Sequence, residues 1–216
     1  SRIIKPDDIF FAIKGPNFDG NNFALQAIKN GASYAVSDNL TIKEKSDKII
    51  YVNNSIEALQ KLANYHRRQL NTNIIAITGS NGKTTSKELI LNVLKSKYNT
   101  IATQGNLNNH LGVPLSLLRM NQNTEFGIIE MGANHLNEIA QLCKIAEPDF
   151  GYITNFGNAH LEGFGSIEGV IKGKSELYNY LIKNKNFIFH NSENKKQKYL
   201  INNYKNTYSF GINSES

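Results

Sequence analysis

The chain has 216 residues, 40% of them hydrophobic, which allows one large domain or two small ones, each burying its own core. Its 24 basic residues outnumber 18 acidic ones, for a formal net charge of +6. They are scattered, so the weak positive field suits anionic small substrates, and no basic stripe with interleaved aromatics marks a nucleic-acid surface.

The single cysteine, Cys143, excludes an internal disulfide and reads as a buried thiol. No apolar run reaches the length of a membrane span, and a cytoplasmic setting is expected. The sequence begins at Ser1 rather than Met and reads as trimmed or partial.

In chain order, residues 9–13 (IFFAI) predict a buried strand and the Gly/Pro/Asn/Asp-rich stretch 15–22 a loop. Residues 23–30 predict a short helix closed by Gly31. Residues 33–37 and 48–52 predict two more strands. Ser55 opens a helix to about Leu70, with Ile56, Leu59, Leu62, Ala63 and Leu70 at helical spacing. The polar stretch 71–73 marks a domain boundary. Beyond it, strands predicted at 74–78, 100–103, 126–130, 150–154, 186–190 and 207–210 alternate with helical patterns at 84–97, 111–118, 135–146, 167–182 and 195–204. Such alternation predicts a mostly parallel sheet with helices on both faces.

The strand at 74–78 runs straight into Gly79-Ser80-Asn81-Gly82-Lys83-Thr84-Thr85 and an amphipathic helix. Glycines let backbone N–H groups turn around phosphate oxygens, and the helix N-terminus adds positive partial charge. Lys83 then reaches the β/γ-phosphates, and the Thr84 hydroxyl ligates Mg²⁺. The general pattern places a glycine where Ile77 stands, so this loop is a shorter variant. By itself the loop leaves kinase, GTPase, ATPase and ligase chemistry open.

Further motifs narrow the choice. Gly105-Asn106-Leu107-Asn108-Asn109 continues as His110-Leu111-Gly112-Val113-Pro114. Glu130-Met131-Gly132-Ala133-Asn134-His135 follows, then the segments 154–162 (TNFGNAHLE) and 172–178 (KGKSELY). Together with residues 78–85 (TGSNGKTT), their order and spacing resemble the Mur ligases of bacterial cell-wall synthesis. The Gly-Asn-x-Asn-Asn element resembles the branch of that family that joins D-alanyl-D-alanine to UDP-MurNAc-tripeptide. Ser1-Arg2 and the Phe18-Asp19-Gly20 loop resemble the family's uridine-binding domain.

The resemblance implies an α/β chain with a small N-terminal α/β uridine-binding domain, residues 1–71. A P-loop domain with a doubly wound, mostly parallel sheet follows at 72–216, incomplete, and the C-terminal ligase domain lies outside the chain. It implies a monomeric ATP-dependent amide ligase acting through an acyl phosphate, with two Mg²⁺ ions and a carbamylated lysine. The cofactor-binding residues implied are Gly79, Ser80, Asn81, Gly82, Lys83, Thr84 and Thr85. The metal ligands are Thr84, Glu130, His160 and carbamylated Lys174, and the catalytic set is Lys83, Lys174 and His160. Ser1, Arg2, Asn106, Asn108 and Asn109 are the substrate-binding set.

Read without the resemblance, Glu130 is as well a solvated strand-end carboxylate, His160 a structural histidine, Lys174 a solvated helix lysine and Asn134 a helix cap. His66, His110 and His190 carry no readable role. A sister Mur ligase, a folylpolyglutamate synthetase and a nucleotide- or UDP-sugar-binding module without turnover stand as alternatives.

Overall fold

The computed structural model describes residues 3–157 and 161–212, and the chain forms two compact units, Ser1–Leu62 and Ala63–Ser216. In the first, β1 (Ile9–Phe11) is followed by a hairpin of β2 (Lys14–Gly15) and β3 (Phe18–Asp19). A 3-10 turn, Gly20–Phe23, leads into α1 (Ala24–Lys29), and β4 (Tyr34–Ser37), α2 (Leu40–Lys43) and β5 (Ile49–Tyr51) come next. β4 lies between β1 and β5 in a parallel sheet, and Ala24, Ala35 and Ile49 bury its core against Phe10, Leu25 and Ile28.

The expected loop 15–22 is therefore a hairpin and a turn. A Cβ on Gly20 would meet the Ile13 carbonyl oxygen at 2.6 Å, so the return of the hairpin needs glycine. Asn21 then ties the turn to the sheet. Its amide donates to Asp19 and Asp38, both at 2.8 Å, and its oxygen accepts from the Ser37 hydroxyl at 2.7 Å.

The division between the units falls inside α3 (Ser55–Gln69). The second unit runs β6 (Asn73–Thr78), α4 (Lys83–Lys95), β7 (Thr100–Ala102), α5 (Gly112–Leu117), β8 (Phe126–Glu130) and α6 (Glu138–Ala146). It continues with β9 (Phe150–Ile153), α7 (Leu161–Phe164), α8 (Ile167–Lys183), β10 (Phe187–Asn191), α9 (Lys195–Ile201) and β11 (Thr207–Phe210). The sheet order is β11-β10-β9-β6-β8-β7, and every one of these pairings is parallel.

Alternation along β6 splits the packing between two faces. Ile74 and Ala76 join Ile129, Ile153 and Ile188 in the core that holds α6 and α8, through Leu142, Val170 and Leu177. Ile75 and Ile77 join Ala102 and Ile128 against Ile90, Leu91 and Leu94 of α4. A strand buried on both faces reads as the continuous apolar run seen here. After β8, next to β6, the chain crosses to β9 on the other side of β6. The carboxyl end of β6 is thus a switch point in strand order, where such sheets open a crevice for ligands.

Candidate functional site

The loop leaving β6 is braced by the residues that follow β9. Gly79 stands at φ 141°, and a Cβ there would lie 2.0 Å from Thr154 Oγ1, so the close approach admits only glycine. The Ser80 N–H donates to the Asn155 carbonyl at 3.1 Å. The Asn155 amide accepts the Asn81 N–H at 3.1 Å and donates to the Asn81 carbonyl at 2.9 Å. Thr154 Oγ1 donates to that carbonyl at 2.6 Å, and the Ser80 hydroxyl to the Gly157 carbonyl at 2.9 Å. Gly82, at φ 75°, then turns the chain into α4, which directs the unpaired N–H groups of a helix start toward the loop.

Lys83 curls back over this loop. Its Nζ donates to the carbonyls of Gly79 and Ser80 at 2.8 and 3.2 Å. Burial pushes its ammonium below the usual lysine range, and the Glu130 charge pulls the other way. Thr85 is exposed in the first turn of α4.

Glu130 closes β8 beside the loop and is 2% exposed. Its Oε2 accepts the Thr84 hydroxyl at 2.9 Å, its Oε1 accepts Asn108 Nδ2 at 2.8 Å, and its N–H donates to Thr103 Oγ1 at 3.0 Å. A buried carboxylate met by neutral donors, one of them a hydroxyl, is a hard-oxygen set that fits Mg²⁺. Among the described residues no group of three or more His, Cys, Asp or Glu forms a closed metal cage.

Lys174, on α8, is 1% exposed, whereas Lys172 is exposed. Its Nζ donates to the Ala133 carbonyl at 3.1 Å and sits 5.2 Å from the Phe164 ring centre. Burial first, then the Lys83 charge, push its pKa down to about 8, against the pull of Glu138 and Glu176.

α6 begins later than the periodicity predicts, at Glu138, and Asn134 does not cap it. Two glutamates serve the helix start instead. Glu138 accepts the N–H groups of Asn134 and His135 at 2.7 and 3.2 Å. Glu176 accepts those of Asn137 and Ala140 at 2.6 and 2.9 Å.

A cavity of about 430 Å³ opens beside Lys83, lined also by Asn108, Asn109, Gly132, Asn134 and Glu138. Asn108 and Asn109 thus stand with the lysine. Asn109 also braces the turn ahead of α5, its Oδ1 accepting the Leu111 and Gly112 N–H groups. Asn106 is exposed, and its carbonyl accepts the Asn108 N–H at 2.7 Å. Ser1, Arg2 and His160 lie outside the described residues.

The sequence reading missed Thr103, Thr154 and Asn155. The last two sit inside the recognised 154–162 motif, where clustering with Gly157 was the available signal.

Comparison with known proteins adds a family. The model of the Mur ligase middle domain matches residues 77–216, and that of the Mur ligase family catalytic domain matches residues 1–67. The UDP-N-acetylmuramoyl-tripeptide–D-alanyl-D-alanine ligase of Rickettsia prowazekii is 41% identical over 221 residues, covering 100% of this chain and 49% of the relative. The chain therefore spans about half the length of the curated relatives it matches. MurF from Thermotoga maritima, solved in complex with ADP, superposes with a TM-score of 0.89 at 35% identity, over 99% of this chain and 49% of that one. MurF from Acinetobacter baumannii gives 0.86 at 34% identity, over 97% and 46%.

Proposed function

The chain belongs to the Mur ligase family, and from that premise we propose that it is the substrate- and ATP-binding part of a cytoplasmic ligase joining D-alanyl-D-alanine to UDP-MurNAc-tripeptide. The observation that carries the reading is the Thr84–Glu130 hydrogen bond beside the Lys83 loop. The relatives' shared activity and the ADP complex of the Thermotoga enzyme support it. Residues 1–71 serve as the UDP-substrate domain and 72–216 as the ATP domain.

In this reading the β- and γ-phosphates lie along residues 79–85, and Lys83 exchanges the carbonyls of Gly79 and Ser80 for phosphate oxygens. Thr84 and Glu130 would hold one Mg²⁺, and His160 and a carbamylated Lys174 would hold the second. Bound Mg²⁺ supplies positive charge to the transferring phosphoryl group. The γ-phosphoryl group moves from ATP to the terminal carboxylate oxygen of UDP-MurNAc-tripeptide, the β–γ P–O bond breaks, and an acyl phosphate and ADP result. The amine of D-alanyl-D-alanine attacks the acyl carbon, the C–O bond to phosphate breaks, and the amine gives up a proton as the amide forms. Asn108 and Asn109 offer neutral amides to sugar and diphosphate oxygens without adding charge. The protein's work is positioning and charge neutralisation, with no covalent nucleophile of its own.

Glu130→Gln tests the metal assignment. Glutamine keeps the size and an acceptor for Thr84, so the melting temperature should hardly change. The Mg²⁺ concentration needed for half-maximal ATP binding should rise about tenfold or more. A Mg²⁺ titration that superposes on that of the unsubstituted protein would show that Glu130 is no ligand.

A further inference from the structure

Lys87 lies one turn beyond Lys83 on α4 and is 1% exposed, although nothing in the proposed chemistry uses it. Its Nζ donates to the Thr103 carbonyl at 2.7 Å and pairs with Glu88 Oε1 at 2.9 Å. Glu88 is on the solvent side, with half its side chain exposed. Thr103 is the residue immediately after β7, and it is 2% exposed. Its N–H donates to the Ile128 carbonyl at 2.9 Å, and its hydroxyl accepts the N–H of Glu130.

These bonds close a ring. From Lys87 it passes to the Thr103 carbonyl, from the Thr103 hydroxyl to the Glu130 backbone, and from the Glu130 carboxylate to the Thr84 hydroxyl. Thr84 and Lys87 are three residues apart on one helix face, so α4 itself completes the circuit. The segment 104–109, which carries Asn108 to the other Glu130 oxygen, departs directly from the clamped Thr103.

We propose that Lys87 is a positioning residue of the phosphate and metal site: it fixes the exit of β7 to α4 and so sets where Glu130 and Asn108 stand relative to Thr84. A buried ammonium is an expensive way to fill a helix–sheet interface, which a leucine or methionine fills well. What the ammonium adds is a directed bond to one backbone oxygen, and that oxygen belongs to the residue that also receives the Glu130 N–H. The shape of the interface needs only the stem of the lysine; the register of the site needs its end.

The inference rests on the assignment of ATP and Mg²⁺ to this loop, and two measurements on the 216-residue chain separate the two ideas. Lys87→Met keeps the length and apolar stem of the side chain but removes the donor. Amide hydrogen exchange, which needs no ligand, should quicken about tenfold or more at Glu130 and through 104–109, while β6 stays protected. Calorimetric titration with ATP, in Mg²⁺ and in EDTA, should show the metal-dependent gain in affinity reduced about tenfold, with affinity in EDTA nearly unchanged. Propylamine added to Lys87→Ala should restore part of that gain by refilling the donor position.

Unchanged exchange at Glu130 and 104–109 in Lys87→Met would overturn the clamp. So would an equal loss of affinity with and without metal, which marks a general loss of structure. An unsubstituted chain whose ATP affinity ignores Mg²⁺ would overturn the site assignment and the role of Lys87 with it.

Discussion

Lys83→Ala is expected to lower the affinity of the chain for ATP about a hundredfold and to leave the fold standing. Lys83 is the one cationic side chain in residues 79–85. A charge-assisted hydrogen bond to a phosphate contributes up to about 3 kcal/mol, and each 1.4 kcal/mol is a factor of ten in affinity. The α4 dipole contributes roughly 0.3–1 kcal/mol and cannot replace it. The fold should persist because, among the described residues, Lys83 Nζ bonds to two carbonyls of its own loop and to no other element.

Removing the Lys83 charge should also let the Lys174 ammonium recover toward its usual range, since Lys83 is the second cause of its depression. Calorimetry for affinity and a thermal melt for the fold read both parts. Unchanged ATP affinity would remove Lys83 from the phosphate site.

Lys174→Ala, made in the full-length ligase, is expected to cost about a hundredfold or more in turnover, with partial rescue by formate or acetate. We propose that CO₂ converts the Lys174 amine to a carbamate, exchanging a cation for an oxygen ligand. The reaction needs a neutral amine. At an ordinary lysine pKa of about 10.4 very little is neutral near pH 7, whereas a pKa pushed down to about 8 leaves about a tenth neutral at pH 7 and about half at pH 8. The depression lowers the ammonium fraction, so carbamate formation should rise from pH 7 through pH 8 and level off above about pH 9. A short carboxylate diffusing into the space left by alanine supplies the same pair of oxygens, which is why rescue discriminates a ligand from a packing role. Full activity without rescue would rule the carbamate out, and the same substitution at the exposed Lys172 is the control.

What was legible in the sequence was what is local. The phosphate loop could be read because its glycines, its lysine and the turn from strand to helix are contiguous, and β6 because a strand buried on both faces is apolar throughout. The order of the parallel strands was not legible. The crossing from β8 to β9 is a decision of the whole sheet, and no local pattern records it.

Lys87 escaped notice because a lysine on an amphipathic helix ordinarily reads as solvated. Only the depth of α4 against β7 makes it buried, and its partner is a backbone carbonyl, which carries no side-chain signature. The start of α6 was misplaced for a similar reason. Asn134 has the right chemistry for a cap, but Glu176, from a helix more than thirty residues further on, reaches the true first turn. The short α2 and α7 left no readable period, being a single turn each.

The measurement that bears most directly on the account is a calorimetric titration of the 216-residue chain with UDP-MurNAc-tripeptide, alone and after saturation with ATP and Mg²⁺. One site should be filled, more tightly than ATP fills its own, because residues 1–71 are proposed as a domain given over to that substrate. ATP already bound should leave that site open. No binding of UDP-MurNAc-tripeptide, or its displacement by ATP, would contradict the division of the chain into a UDP-substrate domain and an ATP domain.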